Sequence, residues 1–138
     1  MLIIILCLSW LFLRSPTIVR VDNDTVYVKN LPLTNEGKID WWKKNKELLQ
    51  EKYNIINDPK DFTVIIMHFK GYERLPAGTR DGSIDDYHCF DDIKDKENCI
   101  YNDIAMIVSG NLTNKVFYRL DDKIFDETPD GKINLLKN

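Results

Sequence analysis

The most reactive pair in the sequence is Cys89 and Cys99, which bracket the loop 90–98. Their flanks, Tyr87-His88 and Ile100-Tyr101, read as strand ends around a polar turn, and strands joined this way bring two Cα atoms within disulfide reach. Closing such a loop stabilises a fold by about 3 kcal/mol in the chain-entropy picture. Zinc would ask for tighter spacing and two further ligands, and only His68 and His88 are available. A thiol activated by His88 meets a geometric obstacle, because neighbours on a strand point to opposite faces. Three readings therefore stand in order: a disulfide, unpaired structural thiols, and metal or thiol chemistry. The first implies an oxidising compartment.

The other dense polar constellation is acidic: Asp81, Asp85, Asp86, Asp91 and Asp92. Its alternating oxygens resemble a calcium loop. However, the sixth and twelfth positions, where an EF-hand needs Gly and Glu, are Asp86 and Asp92. A solvated loop is the expectation. No Ser nucleophile elbow, Gly-rich phosphate loop or H-E-x-x-H pattern occurs. No catalytic residue, metal or cofactor is therefore expected. The enzymatic alternative is a hydrolase in which Asp85, Asp86 or Asp91 works with His88.

The elements that must position these residues follow from periodicity. Residues 17–21 and 26–28 alternate about Asp22-Asn23-Asp24-Thr25, which predicts a hairpin. Thr34 is a good N-cap for a helix over 35–53. On that helix Ile39, Trp42, Leu49 and Tyr53 form an apolar stripe, widened by Trp41 and Leu48. Asp40–Lys44 and Lys43–Glu47 are spaced as i,i+4 pairs on the solvated side. Trp42 is the better core residue, and Trp41 is expected at the core edge or as a partner contact.

Residues 61–69 read as a central strand covered on both faces, with His68 a core or edge histidine rather than a ligand. The loop 70–86 carries Gly71, Pro76, Gly78 and Gly82. Further strands are expected at 104–108, 116–120, 123–125 and 133–136, the last two about Pro129-Asp130-Gly131. The fold class is α+β: a short N-terminal apolar helix, then one amphipathic helix packed on an antiparallel sheet of about six or seven strands.

Length and charge narrow the function. The 138 residues are one domain's worth, and a net charge of -3 from 19 basic and 22 acidic side chains gives nucleic acid no basic face to bind. Residues 2–13 are apolar without a charge. As a helix they would span about 18 Å, short of a hydrocarbon core of about 30 Å. No basic residue precedes them and no Ala-x-Ala follows, so a cleaved signal is not expected. We read 1–14 as a membrane anchor in a frame that starts late, and 15–138 as a single periplasmic domain. Arg14 and Arg20 argue for the opposite orientation by the positive-inside rule, but the cysteine pair outweighs them.

The run 28–46, centred on Thr34-Asn35-Glu36-Gly37-Lys38-Ile39-Asp40-Trp41-Trp42, resembles an enterobacterial family of membrane proteins, domain of unknown function 943. So does the element Cys89-Phe90-Asp91-Asp92-Ile93 with Asn98-Cys99. The resemblance implies a single-span envelope protein with a small C-terminal domain. Family members usually begin with basic residues and a longer apolar segment, where this sequence departs. The resemblance carries over no catalytic residue.

The expected function is a non-enzymatic envelope protein, held in the inner membrane through residues 2–13, whose domain binds a protein partner as an immunity-type neutraliser would. Trp41, Tyr72, Asp85 and Asp86 are the candidate partner contacts. A structural envelope component without a discrete ligand is the remaining alternative.

Overall fold

The apolar start forms helix α1, Leu2–Leu13, and its side chains over residues 2–8 lie exposed, Leu2 at 74% and Ile3 at 75%. The computed structural model describes residues 2–13, 15–76, 86–111 and 114–137. Among them no helix is long and apolar enough to cross a membrane.

The expected hairpin joins β1 (Thr17–Asp22) to β2 (Thr25–Lys29), with Asp22 opposite Thr25 across Asn23-Asp24. Asn23 has φ 55, a left-handed conformation that asparagine tolerates and tight hairpin turns require. Helix α2 (Asn35–Tyr53) begins at the expected cap: the Thr34 hydroxyl accepts from the Gly37 N–H at 3.0 Å. It ends where Asn54 turns left-handed at φ 50 and donates its N–H to the Gln50 carbonyl.

The remaining strands are β3 (Phe62–His68), β4 (Tyr87–Cys89), β5 (Cys99–Tyr101), β6 (Ile104–Gly110), β7 (Val116–Leu120), β8 (Lys123–Glu127) and β9 (Ile133–Lys137). Among the described residues, seven of the nine strands form one sheet in the order β1-β2-β3-β6-β7-β8-β9, while β4 and β5 pair separately. The sheet is mixed, which corrects the antiparallel expectation: β2 and β3 run parallel, with Val26 beside Ile66 and Val28 beside His68. Helix α2 is the cause. It carries the chain back along the sheet before β3 begins, the crossover that parallel strands need.

Strand alternation divides the apolar residues between two faces. On one face Val26, Val28, Val64, Ile66, Val108, Tyr118 and Leu120 pack against Ile39, Trp41, Trp42 and Leu49 of α2. On the other, Tyr27 and Met67 pack under Phe90 and Ile100 of the β4–β5 hairpin, with Ile65 alongside. Strand β3 is thus covered on both faces, as its near-continuous apolar run implied.

Of the two places expected for it, Trp41 takes the core, buried at 7% beside Trp42 at 2%, because an indole on the flank of the stripe is large enough to reach it. Two other helix expectations change. Leu48 and Tyr53 are instead exposed. Lys43 does not pair with Glu47; its ammonium meets Glu127 of β8 at 3.1 Å across the helix–sheet boundary. That carboxylate neighbours the Tyr118 hydroxyl, whose pKa is raised first by burial and then by Glu127.

Candidate functional site

Because β2 and β3 are parallel, their carboxyl ends lie side by side, and the chain leaves them in different directions. After β2 it turns at Asn30, φ 61, towards the cap of α2; after β3 it continues into residues 69–75. Crevices outside the carboxyl ends of parallel strands are where such units hold ligands. Here the crevice has a volume of about 360 Å³, with Leu31, Leu33 and Phe69 as apolar lining and His68, Lys70 and Asp103 as polar groups.

His68 ends β3, and its N–H donates to the Asp103 carbonyl at 2.9 Å, which ties the strand end to the segment before β6. Burial lowers the imidazole pKa; Asp103 opposes this, and Lys38 and Lys70 reinforce it. The imidazole is therefore neutral at pH 7. The Lys70 ammonium pairs with the Asp103 carboxylate at 3.1 Å at the mouth.

On the far side of His68, Lys70 and Asp103 lies a second depression of about 150 Å³. Gly71 has φ 125, a region disfavoured for any residue with a Cβ, and it turns the chain there. The turn lets the Tyr72 ring pack edge-on against Phe69 at 5.1 Å and Phe90 at 6.3 Å. Glu73 then pairs with Cys99 through two backbone hydrogen bonds of 2.6 and 2.9 Å. The opposite wall is Tyr87 and Tyr101, partners across β4–β5, with ring centroids 5.4 Å apart.

The β4–β5 hairpin that supplies this wall is fastened twice. Cys89 and Cys99 face each other across the ladder and form the expected disulfide, with Cα atoms 4.0 Å apart. Arg20 of β1 gives two hydrogen bonds to Asp92, of 2.7 and 2.9 Å, and lies 3.8 Å above the Phe90 ring. Strands of three residues are marginal alone, so the crosslink holds the two strands to each other and the Arg20 clamp holds the hairpin to β1. Nothing in the periodicity linked Arg20 to position 92, since that contact exists only once β1 is the edge strand.

A model of the enterobacterial putative membrane protein family, domain of unknown function 943 (DUF943), matches residues 1–137. The chain belongs to the DUF943 family. No curated protein and no solved structure matches it. The DUF943 description agrees with the resemblance read from the tryptophan and cysteine elements, and it supports association with a membrane.

In this DUF943 member the candidate contacts fall in different places. Trp41 lies in the main core and Tyr72 packs within the second one, while Asp86 is exposed next to Tyr87 at the depression. Asp85, like Asp81 of the calcium reading, lies outside the described residues. Among the described residues the carboxylate that meets His88 is Asp22 of β1, at 3.4 Å, while Asp85 of the hydrolase reading lies outside them. His68, read as a core or edge histidine, is half-buried between the two depressions. A sequence signal for it existed in hindsight: a histidine ending the most apolar strand, followed by Lys70 and Gly71.

Proposed function

We propose that this chain is a membrane-anchored envelope protein whose domain faces the periplasm and binds a protein partner without catalysing a reaction. The observation that carries the reading is the rim of the crevice. Leu33 is 80% exposed and Tyr101 50%, and they line the two depressions that share His68 and the Lys70–Asp103 pair. Apolar side chains around a few fixed polar groups are the make-up of protein interfaces. The disulfide supports an oxidising compartment. The exposed leucines and isoleucines of α1 support an apolar surrounding for that helix, and the family description supports a membrane. In its sharpest form the reading is an immunity-type neutraliser of a periplasmic toxin.

Two measurements test it. Free thiols are trapped in living cells with a membrane-impermeant maleimide before and after reduction. Labelling at Cys89 and Cys99 only after reduction is expected; labelling that requires cell lysis would put the domain in the cytoplasm and overturn the topology. Photo-crosslinking from position 33 should then give one dominant adduct that Tyr101→Asp abolishes. A ladder of unrelated adducts, unchanged by that substitution, would count against a dedicated partner. For the immunity form, deletion should sensitise cells to a toxin encoded nearby, and unchanged survival would exclude it.

A further inference from the structure

We propose that the depression walled by Tyr87 and Tyr101 receives a basic side chain, an arginine in preference to a lysine, presented by the partner protein. The proposal rests on the partner-binding reading above and specifies its chemistry. Size comes first. A cavity of about 150 Å³ is large enough for one small planar group, since engineered cavities of that volume take up benzene. A whole cofactor would need several times as much.

The lining selects the charge. Ile100 is buried at 1% and forms the apolar part of the lining. The Lys70 ammonium is taken up by Asp103 at 3.1 Å, and burial keeps His68 neutral, so its imidazole offers a lone pair as well as an N–H. Glu73 is fixed beside them by its two backbone bonds to Cys99, and among the described residues its carboxylate has no ion pair. The Tyr87 pKa is raised by its packing and by the nearby Glu73 and Asp86 charges, as expected where the field is negative. An anion would meet Glu73 head on. An apolar group would strip water from Glu73 and His68 and return no hydrogen bond.

A guanidinium satisfies every part of this lining. It stacks on a tyrosine face, donates to a carboxylate in a fixed fork, and is less strongly hydrated than an ammonium. The two rings meet edge to face at 71°, which leaves the half-exposed Tyr101 available for stacking.

The full chain in detergent micelles is titrated with N-acetyl-arginine amide and followed by NMR at Tyr87, Tyr101 and Glu73. N-acetyl-citrulline amide, the neutral isostere, serves as the control. The arginine probe should shift these resonances at millimolar concentration and the citrulline probe should not. Glu73→Gln and, separately, Tyr101→Leu should each weaken the arginine response by about fivefold, the effect of one exposed cation–π or charged contact. Equal responses to both probes, or no response to arginine up to its solubility, would overturn the proposal. So would undiminished binding in both variants. Neither probe depends on the compartment or on a captured partner, so failure here leaves the thiol-labelling and crosslinking results standing on their own.

Discussion

Arg20 and Asp92, 72 positions apart in the chain, are joined by two hydrogen bonds of 2.7 and 2.9 Å, and the same guanidinium lies over Phe90. One residue of an edge strand therefore closes the hairpin that walls the candidate site. The hydrogen bond from Arg20 holds the Asp92 carboxyl below its usual range.

The first prediction concerns this clamp. Arg20→Ala should cost about 1 kcal/mol through the lost stacking on Phe90 and raise amide exchange in Cys99 and Ile100, while α2 stays protected. The depressed Asp92 pKa means its contribution is present above the unfolded-state value and is lost as pH falls through the folded one. Hairpin exchange should thus accelerate below about pH 4 in the wild type. Asp92→Asn should show fast exchange already at neutral pH and no such acid step. A wild-type profile superimposable on that of Asp92→Asn would show that the clamp does not act.

The disulfide should act on the same hairpin. Replacing Cys89 and Cys99 together by serine should lower stability by about 3 kcal/mol in urea unfolding, since the closed loop is short. The loss should be local, with near-ultraviolet signals of Tyr87, Phe90 and Tyr101 weakened and those of the tryptophans retained. If tryptophan and tyrosine signals fell together, the hairpin would not be a separate cooperative unit.

Trp41 provides a test of burial. At 7% exposure it belongs to the helix–sheet core, so Trp41→Ala should cost about 3 kcal/mol or more, comparable with Trp42→Ala. Denaturant titration of both variants decides the matter. A cost below about 0.5 kcal/mol for Trp41→Ala would return it to the surface class.

His68 should make stability depend on pH. Its folded-state pKa is lowered mainly by burial, so between that value and the unfolded value near 6.5 the unfolded chain binds more protons. Stability should therefore fall as pH drops from about 7 towards 5, and His68→Gln should flatten that slope. Urea midpoints of the two proteins across this range give the comparison, and parallel curves would mean that His68 is as hydrated as in the unfolded chain.

Much of the architecture was legible from local patterns. Thr34, the apolar period of 35–53 and Asn23-Asp24 specify a cap, a helix and a turn through contacts only a few residues long, and these elements stand where expected. The cysteine pair was legible for the same reason, because a short loop between two strand ends leaves little choice of partner. Sheet direction was harder to read. The β2 residues alternate equally well beside a parallel or an antiparallel neighbour, and only the path of α2 over the sheet decides between them.

The candidate site was mostly hidden for a related reason. Its residues come from five places in the chain: Leu33, His68, Glu73, Tyr87 and Tyr101–Asp103. No spacing rule links them, because what brings them together is the divergence of two strand ends and a hairpin pinned over them by Arg20. The sequence by itself determined most of the elements, the family and the crosslink, all set by composition, local motifs or short-range periodicity. The tertiary structure alone decided which strands became neighbours, that Trp41 was buried along with Trp42, and which carboxylates were left facing solvent. Those outcomes depend on packing between residues far apart in the chain, which local propensity does not encode.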